Sequence, residues 1–134
     1  AEKLSNVFIH ELMPADRISE VYSLGDVALI TCKPGTGNAG MPSKTWSIMA
    51  CNTPIIASFD TDSDLADVIR DAGAGKCVEP GDVGALGRAI GERYQSWKFG
   101  DKAKINLRDY VKEYASKEKC VKRYIGLFAN TSDS

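Results

Sequence analysis

Histidine is almost absent from this chain, and its few cysteines are scattered. One His and four Cys occur among 134 residues. Cys32, Cys51, Cys77 and Cys120 form no CxxC pair, and His10 is remote from all of them in sequence. That spacing argues against a zinc site. Each cysteine lies within or beside an apolar run, where it behaves as a small hydrophobe. The pattern predicts four buried thiols in a reducing compartment, the cytoplasm. A charge excess is also lacking, since the formal net charge is −1. General nucleic-acid binders and polybasic membrane anchors carry a basic surplus, so both classes are disfavoured. No apolar run approaches the length of a membrane span. No signal peptide opens the chain, and the Ala1 start suggests a fragment. Internal repeats and low-complexity tracts are missing too. What is present is an ordinary globular composition, 43% hydrophobic and 26% charged, at a length that suits one domain over residues 1–134.

Apolar runs and helical spacing alternate along the chain. Val7 to Ile9 predicts a short strand. Pro14 opens a helix with Ile18, Val21 and Tyr22 on one face, stopped at Gly25. Val27 to Thr31 is apolar without alternation, as a strand buried on both faces should be. A helix follows from Pro42 to about Cys51, then a strand from Pro54 to Ser58. Thr61 or Asp62 caps the next helix, whose inner face holds Leu65, Val68, Ile69 and Ala72, and Gly73 stops it. Lys76 to Glu79 predicts a fourth strand, and Asp82 caps a helix with Leu86, Ala89, Ile90 and Trp97 inside. Two more helices carry Leu107, Tyr110, Val111 and Tyr114, then Cys120, Val121, Tyr124, Ile125 and Phe128 behind a Ser116 cap. Residues 129–134 read as a frayed tail. Strands alternating with helices predict an α/β fold, a Rossmann-like three-layer domain with about four parallel strands. In such sheets the ligand crevice lies beyond the carboxyl ends of the strands.

One loop differs from the rest. Cys32 to Gly40 holds three glycines and a proline between a strand and a helix. Glycine lets the backbone approach a ligand and adopt positive φ. The following helix begins Pro42-Ser43-Lys44-Thr45, where the first amides lack intrahelical partners and the dipole adds positive charge. A phosphate suits such a place. Ser43 and Thr45 add hydroxyls, while Lys33 and Lys44 add charge. The arrangement suggests a grip on a diphosphate leaving group. The glycine-lysine-serine ending of a P-loop is absent. Gly35, Gly37 and Gly40 match the bare GxGxxG spacing, but the helix is delayed and no acidic residue follows in the expected place, Asp60 being the nearest. A plain surface loop is the competing reading.

These segments resemble a known family. Asp26 to Ile30, Gly40 to Thr45 and Ile48 to Ser58 are similar to the carboxyl-terminal domain of family-4 glycosyltransferases of the GT-B fold. Ala72 to Gly75 and Pro80 to Asp82 resemble its next strand and turn, and Tyr114 to Tyr124 its closing helix pair. The Pro42-Ser43-Lys44-Thr45 variant resembles the subgroup that builds bacterial surface polysaccharides. The resemblance implies a UDP-sugar or GDP-sugar donor, retention of anomeric configuration and no metal or other cofactor. It places Gly40, Met41, Pro42, Ser43, Lys44 and Thr45 at the donor diphosphate. It places Ser47, Asp62, Ser63 and Lys33 near the ribose or sugar. The family's paired glutamates are not here, because Ser47 and Ala39 stand at their places. The resemblance also implies that two strands, their basic residues and the acceptor-binding half belong to a longer parent. That parent would take a lipid-linked or polysaccharide acceptor, peripherally at the inner membrane face. Without those strands the Asp26 to Thr31 strand has an open edge, so either the Val7 strand or a second chain is expected to pair with it.

No catalytic residue stands out. His10 and Trp46 read as structural, and Asp60, Asp62 and Asp64 as helix-start acids rather than a cation site. Lys102, Lys104, Lys112, Lys117, Lys119 and Lys122 read as solvated faces. Two other functions stay open. One is a non-catalytic module holding a nucleotide or flavin phosphate at Gly35 to Gly40; the other is an interaction domain whose site has decayed.

Overall fold

A computed structural model describes residues 4–100 and 106–130. Three parallel strands lie at its centre: β1 (Ala28–Thr31), β2 (Ile55–Ser58) and β3 (Gly75–Val78). They are ordered β1-β2-β3, with Ala28 opposite Ile55 and Ile55 opposite Gly75. The helices are α1 (Ile18–Leu24), α2 (Lys44–Ala50), α3 (Asp64–Asp71), α4 (Val83–Lys98), α5 (Leu107–Tyr114) and α6 (Lys117–Asn130). The expected α/β architecture with a parallel sheet is present. Short 3-10 turns at Ala15–Arg17 and Gly37–Ala39 precede α1 and α2.

Strand alternation divides the sheet into two faces. Ile30, Ile55 and Ala57 join Ile48, Met49, Leu65, Ile69 and Leu107 in one core cluster under α2, α3 and α5. Ile56 points the other way, is 3% exposed, and meets α4, which packs on that side. Burial of both faces explains why β2 is closed along its whole length. Gly75 lets β3 press against β2. A Cβ there would stand 1.8 Å from the Ile55 carbonyl oxygen, at φ +149°. Asn52 turns the chain from α2 into β2 at φ +62°, and its Oδ1 accepts the Leu107 amide at 2.9 Å. Arg108 Nε donates to the Ala50 carbonyl at 2.9 Å, so both bonds fasten α5 onto the end of α2.

Several expectations need correction. Val7 to Ile9 is not a strand, and these residues are 54%, 76% and 94% exposed. A strand exists only through its ladder, and a local apolar run provides no partner. The described sheet therefore has three strands rather than four, and nothing among the described residues pairs with the outer edge of β1. Neither Thr61 nor Asp62 caps α3; Ser63 does, accepting the Ala66 amide at 3.4 Å. Asp82 caps α4 as expected, accepting the Ala85 amide at 2.8 Å. Ile90 and Trp97 of α4 and most of the apolar face of α6 are exposed rather than inside. All four cysteines are free and half-buried rather than buried. α6 continues to Asn130, while residues 131–134, Lys102 and Lys104 lie outside the described residues.

Candidate functional site

The Cys32 amide donates to the Ser58 carbonyl at 3.0 Å, carrying the β1–β2 ladder one step past β1. The chain then turns at Lys33, whose carbonyl accepts from the Thr36 amide at 3.2 Å and the Thr36 hydroxyl at 2.7 Å. Gly35 completes that turn at φ +75°, where a side chain is strained.

Asp60 organises the rest of the loop. It lies two residues past β2 and is 8% exposed. Its Oδ1 accepts the Gly35 amide at 2.9 Å, and its Oδ2 accepts the Gly37 amide at 2.6 Å. Amide bonds to a carboxylate are roughly twice as strong as neutral ones, and they offset the cost of burying its charge. Gly37 is required on steric grounds. A Cβ there would sit 2.8 Å from Asp60 Oδ2 and 2.9 Å from the Phe59 ring. Ser63 anchors Asp60 from behind: its hydroxyl donates to the Asp60 carbonyl at 2.6 Å. Asn38 adds a longer link to Asp62 Oδ1 at 3.5 Å. The loop after β1 is thus tied to the loop after β2, both at the carboxyl end of the sheet.

The residues expected at the diphosphate form one continuous stretch there. Gly40, Ser43 and Lys44 are exposed, and Met41 and Pro42 are half-buried. Among the described residues, no internal hydrogen bond engages the amides of Gly40, Met41, Ser43 or Lys44. Thr45 is set back. Its amide donates to the Pro42 carbonyl at 3.0 Å, and its side chain is fully buried with no partner for the hydroxyl. The helix starts at Lys44, two residues later than its proline suggested. In the ribose or sugar set, Lys33, Ser47 and Asp62 are exposed, whereas the Ser63 hydroxyl is engaged by Asp60 and the α3 cap.

Asp60, Asp62 and Asp64 do not converge. Asp60 turns inward, Asp62 faces Asn38, and Asp64 lies exposed in the first turn of α3. Among the described residues no three His, Cys, Asp or Glu side chains come together as a metal site. Cys77 donates to the Phe59 carbonyl at 3.4 Å, and burial, with Glu79 nearby, pushes its thiol up to about 11. It is a protonated packing group rather than a nucleophile. The amide capture by Asp60 was not read from the sequence. The signal for it was weak: an acid directly after a buried strand, facing a glycine loop.

Two clefts of about 280 and 330 Å³ open elsewhere, at the amino ends of the strands. Val27 and Arg93 line both, with Gly75 and Lys76 in one and Tyr94 and Trp97 in the other. Neither touches the loop after β1.

A parallel sheet with a glycine-lined bend and helix start at its carboxyl end has the layout of a partial Rossmann-like domain. Residues 1–96 match the family described as glycosyl transferases group 1, and the chain belongs to that family. It is also 33% identical over 96 residues to the probable glycosyltransferase WbjE of Pseudomonas aeruginosa. That match covers 70% of this chain but only 24% of the relative. No solved structure gives a significant match.

Proposed function

We propose that this chain is the nucleotide-diphosphate-sugar-binding part of a retaining glycosyltransferase that acts in cell-surface polysaccharide biosynthesis. The observation that carries this reading is the run from Gly40 to Lys44, exposed at Gly40, Ser43 and Lys44, where the amides of Gly40, Met41, Ser43 and Lys44 have no hydrogen-bond partner among the described residues and lie at the carboxyl end of a family-matched sheet. Amides there stabilise a diphosphate both as a bound group and as a leaving group, because the negative charge that grows on departure meets fixed donors. Lys44 adds a mobile cation on the first turn of α2. The donor is a UDP-sugar or GDP-sugar, with Lys33, Ser47 and Asp62 as the exposed groups for ribose or sugar hydroxyls. A lipid-linked or polysaccharide acceptor binds another part of the parent, so this chain alone binds donor weakly and does not turn over. The parent works on the cytoplasmic side, peripherally at the inner membrane face. No described helix is long and apolar enough to cross a membrane.

A flavin-phosphate module is the weaker reading. It needs the amides of Gly35 and Gly37, and Asp60 already holds both.

Titration with UDP and with GDP tests the proposal, read by calorimetry or amide chemical shifts. One nucleotide is expected to bind and to perturb the amides of Gly40, Met41, Ser43 and Lys44. Lys44→Ala is expected to weaken it roughly tenfold, the equivalent of about 1.4 kcal/mol. Silence with both nucleotides refutes the reading.

A further inference from the structure

We propose that Asp60 is a positioning residue for the donor loop, holding the glycine-rich bend in its binding shape before any nucleotide arrives. This rests on the donor-binding reading above and deepens it. The inference starts from flexibility. Gly35 and Gly40 sit at φ +75° and +152°, so the bend is bounded by two glycines of wide conformational freedom, with a third, Gly37, between them. A ligand that had to order such a loop would lose affinity in doing so. The structure removes that freedom with one side chain. Each carboxylate oxygen of Asp60 takes one amide, Gly35 on Oδ1 and Gly37 on Oδ2, so the loop is fixed at two points.

The Asp60 end is equally constrained. Its carbonyl accepts both the hydroxyl and the amide of Ser63, at 2.6 and 3.2 Å, and Ser63 itself begins the buried start of α3. On the loop side, Gly37 opens the 3-10 turn Gly37–Ala39 that delivers the chain to Gly40 and α2. Moving Gly37 therefore moves the amides that the donor is to meet. Asp60 touches no ligand in this arrangement. It acts through the loop, and its charge is spent on the loop's own donors rather than presented to a diphosphate.

Asp60→Asn keeps the shape and one acceptor oxygen but turns an NH2 group toward a backbone N–H. Two quantities are read for it: hydrogen exchange at the Gly35 and Gly37 amides, and affinity for whichever of UDP or GDP binds the unaltered chain. Exchange at one or both amides is expected to rise at least tenfold, with a loss of affinity of about tenfold. Gly37→Ala approaches the same tie from the other side, leaving the carboxylate intact while its Cβ pushes the loop away. The same loss of affinity is expected, and the double variant is expected to bind no worse than the weaker single one, because both remove one interaction. Asn106→Ala supplies the contrast. It removes the side chain that caps α5, which is fastened to the carboxyl end of α2 rather than to the loop, and it is expected to lower stability with affinity unchanged. An Asp60→Asn chain that binds nucleotide as the unaltered chain does overturns the proposal and leaves the donor reading standing. An unaltered chain silent to both nucleotides overturns the donor reading and the positioning role with it.

Discussion

Single residues set how closely the parts of this molecule approach one another. Gly75 is the sharpest case, since any Cβ there meets a β2 carbonyl that belongs to the ladder and has no room to retreat. Gly75→Ala is expected to destabilise the fold at or beyond the upper end of the roughly 1–3 kcal/mol typical of overpacking, read as a fall in the urea midpoint. Cys77 sets an alkaline limit. Its folded pKa, raised by burial to about 11, exceeds the ordinary thiol value of 9.0, so the folded state holds the proton more tightly. The stabilisation is complete below the unfolded value and is lost as pH rises through the folded one. Stability is thus expected to decline between about pH 9 and 11, and Cys77→Ala to flatten that decline in urea titrations run across the range. Gly37 and Asp60 differ from these two in that their pairing orders a loop rather than the core. None of these contacts has a periodic signature, which is why sequence reading found the glycine loop but missed the carboxylate that grips it.

Elements were legible where their signals are local. β1 and β2 appear as unbroken apolar runs, Asp82 and Ser116 as caps, and Gly73 as a stop, and each stands where expected, but only β2 is buried on both faces; β1, expected to be, leaves Leu29 and Thr31 exposed. Elements that depend on remote partners were not legible. Val7 to Ile9 has the composition of a strand but no ladder, and α4 buries Ala89 yet leaves Ile90 and Trp97 exposed, as α6 leaves most of its apolar face. The docking of α5 is of the same kind. Leu107 is fully buried, yet its amide is satisfied by Asn52, 55 positions earlier in the chain. Asn52→Ala removes that acceptor and leaves a non-glycine residue at φ +62° without a polar side chain to ease it. A loss of about 1–2 kcal/mol is expected, comparable to removing a helix cap, with the α5 amides becoming the fastest of the helical amides to exchange.

At the scale of the whole molecule, the described sheet is sealed unevenly. Among the described residues, α2, α3 and α5 close one face of β2, and α4 packs on the other. Nothing among the described residues pairs with the outer edge of β1, where Leu29 is 53% exposed. An edge of this sort is a template for another strand. Sedimentation of the chain at rising concentration is expected to show self-association, and Leu29→Lys to suppress it; a chain that stays monomeric throughout would refute edge pairing. The fastening of α5 to Asn52 and Ala50 carries a consequence for synthesis. All three strands leave the ribosome before Leu107 does, so the core cluster that Leu107 shares with Met49 is expected to stay incomplete until then. The nascent chain therefore passes through an interval with a finished framework and an unplugged interior, and that interval is when a chaperone has most to hold.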